Sequence, residues 1–240
     1  MSSPQAPGDG LDPSTCILVE ISAALSARNE EAVDDALRAA VEARLDPVAV
    51  EETILQSYLF LGYPAALNGF GRWRAISGRP PAAPTVDDLE VWEERGEKVC
   101  GTVYGHRYPS LRENIRKLHP DMERWMVLEG YGKVLGRPGL PLVTREYCIV
   151  AILAVQGVER QLHSHLRGAL HAGGDGGALD SVLEIAARFQ ETADARAAAG
   201  LKDDVLRRWA VTSSGDPAGA PPDGPDRRGG PSVAPSDGNT

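Results

Sequence analysis

No stretch of this chain approaches the roughly 18–20 consecutive apolar residues that span a bilayer. Its start, Met1 to Gly10, has neither a basic residue nor an apolar run and is not read as a signal peptide. Basic residues are in the minority. The 25 Lys and Arg stand against 34 Asp and Glu, a net charge of -9, and a nucleic-acid footprint needs the opposite balance. Arg207-Arg208 and Arg227-Arg228 are too short to reverse it. Cysteine is scarce as well. Cys16, Cys100 and Cys148 are odd in number and far apart, which argues against a disulfide framework or a zinc site. Each is read as a small apolar filler in a reducing compartment. No run of alternating β-branched residues marks a strand. These absences leave an all-α, soluble, cytoplasmic protein with no nucleic-acid partner and no membrane partner.

The two ends have little that could fold. From Thr212 to Thr240 there are six Gly and six Pro, with Val233 the one strong apolar residue. Such a segment cannot bury enough surface to offset the entropy of ordering it. Residues 1–12 read the same way, so disorder is expected over 1–12 and 211–240. Between them the spacing is helical. Ile17, Leu18, Ile21 and Leu25 share one face, and Val33, Leu37, Ala40 and Val41 share the next. Asp46-Pro47 is a cap followed by Pro at the first helical position. Gly62-Tyr63-Pro64 breaks the helix that begins there, and Pro64 starts another. Residues 78–85 are a Pro-rich linker. It divides the chain into a segment at 13–77 and a larger one at 86–210. In the larger, helices are expected to about Tyr104, then near 109–118, 120–136, 143–157, 160–173, 177–191 and 194–210. A weak internal repeat aligns Ala36–Ala43 with His165–Ala172.

Glu146 and His165 are the candidate catalytic residues. His165 shares a helix face with Val158, Gln161 and Leu162. Gly157 turns the chain back, so Glu146 and His165 lie roughly 16 and 12 Å from the turn on antiparallel neighbours. A carboxylate there would fix the imidazole's tautomer and hold its proton, the usual preparation of a general acid or base. A histidine on a helix is nevertheless more often a surface or satisfied core residue than a catalyst. His163 points about 200° away, and His171 lies on another face, so the three make a poor metal site. Arg167 reads most simply as a surface charge that could project into a neighbouring subunit.

The residues carry a resemblance. Tyr131-Gly132-Lys133-Val134-Leu135-Gly136-Arg137-Pro138-Gly139-Leu140, then Thr144-Arg145-Glu146, then Gln161 through Leu170, look like the carboxymuconolactone decarboxylase family. Val103-Tyr104-Gly105-His106-Arg107-Tyr108 resembles the motif opening that family's N-terminal region. Asp46-Pro47 through Gly62-Tyr63-Pro64-Ala65-Ala66-Leu67 resembles its final helices. The resemblance implies an alkylhydroperoxidase D-like bundle, duplicated, with a shortened and degenerate first module. The family's thiol peroxidase branch carries Cys-x-x-Cys before the His. Val158 and Gln161 stand at those positions, so that chemistry is excluded in this module. In the first module Ile17 and Ala36 stand where Glu and His would.

The cysteine-free pattern resembles the decarboxylase branch. It implies a lyase or isomerase without cofactor or metal, acting on a small carboxylic acid or lactone in aromatic-compound catabolism. His165 would be the acid and Glu146 its holder. Arg167 or Arg145 would bind the substrate carboxylate, and Tyr131 would be a hydrogen-bond donor. Family members are commonly homo-oligomers, which implies a trimer or hexamer here. A non-catalytic oligomeric module of the same family is the alternative reading.

Overall fold

The computed structural model describes residues 10–85 and 88–214, and no strand occurs among them. The expectations for residues 1–9, 86–87 and 215–240 lie outside the described residues. The first helices are α1 (Pro13–Ala27), α2 (Glu30–Glu42) and α3 (Pro47–Ser77). After the linker come α4 (Leu89–Tyr104), a 3-10 turn (Gly105–Arg107), α5 (Tyr108–Leu118), α6 (Pro120–Trp125) and a π-helical segment (Met126–Leu135). The chain closes with α7 (Leu142–Gln156), α8 (Glu159–His171), α9 (Gly176–Ala187) and α10 (Thr192–Ser214).

Local chemistry sets these boundaries. Asp12, Asn29, Asp46, Asp88 and Asp175 each accept from a backbone N–H of the first turn of the helix that follows, which satisfies one of the donors a helix start leaves unpaired. Gly62 breaks α3 with φ 78 and ψ 169, one residue before the helix resumes toward Pro64. Several expectations need correction. The single helix expected over 120–136 is α-helical only to Trp125 and then widens into the π segment. The helix expected to 191 ends at Ala187. The last helix reaches Ser214, past the expected 210, and Leu11 packs on the core although 1–12 was expected to be disordered.

The centre of the fold is α1 against α7. Every residue of α7 from Thr144 to Ala154 is buried, as a helix surrounded on all sides requires. α1 also packs on α2, α3 and α9, and α7 on α8, α9, α3 and α10. One apolar core therefore spans both segments, with Val19, Ile21, Leu37 and Ile54 from the first and Ile149, Val150, Leu166 and Leu179 from the second.

The helix boundaries repeat at a constant offset. α7 starts at position 142 against 13 for α1, α8 at 159 against 30, and α9 at 176 against 47, the same interval each time. α1 and α7 both have 15 residues, and α2 and α8 both have 13. The turns match too. Arg28 (φ 53) and Gly157 (φ 67) end α1 and α7, and Arg44 (φ 55) and Gly173 (φ 96) follow α2 and α8. The break at Gly62 corresponds to the gap before α10. Even a side-chain tie recurs. Trp73 donates to Glu51 at 3.2 Å. Lys202 and Asp180, which stand at that same offset from Trp73 and Glu51, pair with each other. The octamers aligned in the sequence, from Ala36 and from His165, are separated by this interval as well.

Candidate active site

α7 and α8 run antiparallel from the turn at Gly157 and bring Glu146 and His165 together. Nδ1 of His165 lies 2.8 Å from Oε2 of Glu146. In the tautomer that carries its proton on Nδ1, the imidazole donates to this carboxylate oxygen. The Glu146 side chain has no exposure, whereas the imidazole keeps 8%. The histidine is thus the part of the pair that meets solvent. The other carboxylate oxygen, Oε1, is buried and has no hydrogen-bond partner among the described residues.

Gly168 lies about one helical turn beyond His165, and its missing side chain makes room for the carboxylate. A Cβ there would stand 2.5 Å from Oε2 of Glu146 and 2.9 Å from Cγ1 of Val103. Ala39, Ile17 and Ala36 stand at the helix-start interval before Gly168, Glu146 and His165.

Two groups beside the pair escaped sequence reasoning. Phe60, just before the break in α3, sets its ring edge-to-face on His165 with centroids 5.8 Å apart. The first segment thereby supplies a wall of the second segment's site. Tyr104, at the end of α4, accepts a hydrogen bond from the Tyr131 hydroxyl at 3.0 Å. Tyr104 lay inside a motif visible in the sequence, but nothing there tied it to Glu146. Close packing of α4 on the π segment holds the two tyrosines together, since a Cβ at Gly132 would stand 2.0 Å from the Trp92 carbonyl. Burial pushes both phenols above their ordinary range, and the charge of Glu146 adds to the rise in each.

Tyr131 is only 3% exposed and commits its proton to Tyr104. Arg145 is elsewhere, and its expected role in binding a substrate carboxylate needs correction. It is fully buried and donates to Oε2 of Glu52 at 2.8 Å and to the Arg137 carbonyl at 3.0 Å. Arg137 also reaches Glu52, at 2.9 Å. This Arg–Glu–Arg cluster fastens the Arg137-Pro138-Gly139 loop and α7 to α3. Burial pulls the Arg145 guanidinium below its ordinary value, and Glu52 offsets part of that fall. Arg167 is two residues past His165, about 200° around the helix. It is half-buried, and its charge helps hold His171 below the ordinary imidazole value, after burial itself.

Burial pushes the Cys148 thiol up to about 11, and burial with Glu97 raises Cys100. Among the described residues, no three His, Cys, Asp or Glu converge as a metal-ligand set, and no helix is long and apolar enough to cross a membrane.

Fold and site together define an all-α protein in which a buried carboxylate and an imidazole bridge two consecutive helices. Residues 120–204, which contain both, match the Carboxymuconolactone decarboxylase family. A 4-carboxymuconolactone decarboxylase of Acinetobacter baylyi is 31% identical over 81 residues, covering 33% of this chain and 60% of that protein. The chain thus spans less than two thirds of the length of this relative.

Proposed function

We propose that the protein is a cofactor-independent carboxy-lyase of a small carboxylated lactone, with His165 as the proton donor. The observation that carries this reading is the 2.8 Å contact between His165 and a fully buried Glu146. A carboxylate so placed orients the imidazole while the ring edge stays reachable. In the reaction the bond to the carboxylate carbon breaks and carbon dioxide leaves. The electron pair passes into the lactone as a dienolate, and His165 delivers a proton to carbon, to be replaced from solvent. The family match over 120–204 and the Acinetobacter relative support the substrate class.

Arg145 is not assigned to the substrate, because Glu52 holds it in the core. Arg167 is assigned the carboxylate of a ligand bound at a neighbouring copy in a homo-oligomer, a trimer or hexamer. The constant offset between the helix starts of the two halves supports descent from a duplicated module whose first copy lost its pair.

The test is an ultraviolet assay with freshly generated γ-carboxymuconolactone, without added metal or thiol, on the wild type and His165→Ala. Turnover should fall by about 10²–10⁴ in the variant, the usual contribution of a positioned acid. Equal turnover in a folded His165→Ala protein would remove His165 from the chemistry. No turnover by the wild type would favour the non-catalytic module.

A further inference from the structure

Phe60 stands where α3 is interrupted, and the interruption removes a donor from its carbonyl. Gly62, two residues on, has φ 78 and ψ 169, and Pro64 lies inside the helix beyond it. In an unbroken α-helix the Phe60 carbonyl would accept from the N–H of residue 64. Proline has none. The Gln156 side chain donates to that carbonyl in its place, with Nε2 3.1 Å from the oxygen. Gln156 is the last residue of α7, just before the turn at Gly157 from which α8 departs. The break in α3 is thus tied to the corner of the helix pair that carries Glu146 and His165. Tyr58 and Tyr63 brace it from either side, their rings stacked with centroids 5.1 Å apart.

The Phe60 ring held at this break meets the His165 imidazole at 84°, with centroids 5.8 Å apart. The imidazole keeps only 8% exposure, and Phe60 is half-buried. The contact with Glu146 fixes one edge of the imidazole at Nδ1. One hydrogen bond leaves the ring free to turn about its own axis, and a second ring packed against it removes that freedom. We propose that Phe60 is a positioning residue of the site, shielding His165 and holding the plane of its imidazole, and that Gln156 positions Phe60 through the backbone. An apolar ring beside a proton donor also limits the water that competes with a ligand for the proton. This inference rests on the reading of His165 as the reactive group. It adds that access to the imidazole is governed from the first half of the chain.

The experiment is the rate of acylation of His165 by diethyl pyrocarbonate in the full-length protein at one pH, read by mass spectrometry of tryptic peptides. His163 and His165 share the peptide Gln161–Arg167, so fragment ions assign the site. His119, 57% exposed at the start of α6, is the internal control. In Phe60→Ala the rate at His165 should rise about two- to tenfold, the range that loss of one aromatic pair allows, with His119 unchanged. Phe60→Tyr, which keeps the ring, should stay near the wild-type rate. Gln156→Ala leaves the ring in place and should give a smaller rise. Equal rates at His165 in wild type and a folded Phe60→Ala protein, including no acylation in either, would overturn the proposal. So would a parallel rise at His119, which reports general loosening, or a Phe60→Tyr protein as reactive as Phe60→Ala. A wild-type rate in Gln156→Ala would overturn the part given to Gln156. Carboxymuconolactone turnover is measured on the same samples. Shielding without turnover overturns the lyase reading and leaves the role of Phe60 standing, and turnover without shielding does the reverse.

Discussion

Removing Glu52 should unfasten α3 from α7 at a large cost. Its side chain is 7% exposed, and it holds Arg145, which has no exposure, and Arg137, which keeps 22%. In Glu52→Ala the Arg145 guanidinium stays in the core with its charge uncompensated. Breaking a buried pair by deleting one partner typically costs about 3–5 kcal/mol. Arg145 would keep the Arg137 carbonyl at 3.0 Å and weaker contacts at 3.4 Å to the Pro138 carbonyl and Gln56. The Arg137 contribution is partly screened by water. These retained contacts place the expected loss near the lower bound, about 3 kcal/mol. For a domain of this size that is a fall of roughly 6–12 °C in Tm. Urea and thermal denaturation followed by circular dichroism measure it. Glu52→Gln keeps the volume and one acceptor and should lose less. The double variant Glu52→Leu/Arg145→Met removes both charges and should recover much of the stability, since apolar replacement of a buried ion pair is often neutral or better. A loss below about 1 kcal/mol in Glu52→Ala, or a double variant worse than either single one, would refute the argument.

Gly168→Ala should cost about 1–3 kcal/mol by overpacking, because neither the buried Glu146 carboxylate nor Val103 can withdraw far. Melting curves and turnover on the same samples test it, and a variant equal to wild type in both would contradict the crowding. Alkaline conditions should destabilise the fold through Cys148. Its folded pKa, about 11, lies above the ordinary thiol value of 9.0. The associated stability is complete below pH 9 and is lost as pH rises through about 11, a change on the order of 2 kcal/mol. The shifts of Tyr104 and Tyr131 act in the same direction. Urea midpoints should fall above pH 9, and Cys148→Ala should flatten the fall. Midpoints constant to pH 11 would count against the buried-thiol account.

What the sequence made legible was local or nearly so. Caps at Asp46 and Asp175, the break at Gly62 and the turn at Gly157 are written in adjacent residues, and the helices follow them. The Glu146–His165 contact was legible because both residues lie at computable distances from one turn. Arg145 was misread for the opposite reason. An arginine beside a glutamate on a helix reads as site chemistry until Glu52, 93 residues away, is brought against it. Phe60 was invisible as a site residue because its contact with His165 depends on how α3 packs against the α7–α8 pair. The π segment also carries no local signature. Its widened turns accompany the backbone contact of Gly132 with Trp92 on another helix.

The repeated helix register has a consequence for counting. The first two helices of each half have the same lengths and turns, yet the second half has Glu146 and His165 at the positions where the first has Ile17 and Ala36. On the proposed reading of Glu146 and His165 as the site, ligand stoichiometry is expected to saturate at one equivalent per polypeptide. Phe60 ties the two halves together there, because a ring of the first half stands edge-to-face on His165 of the second.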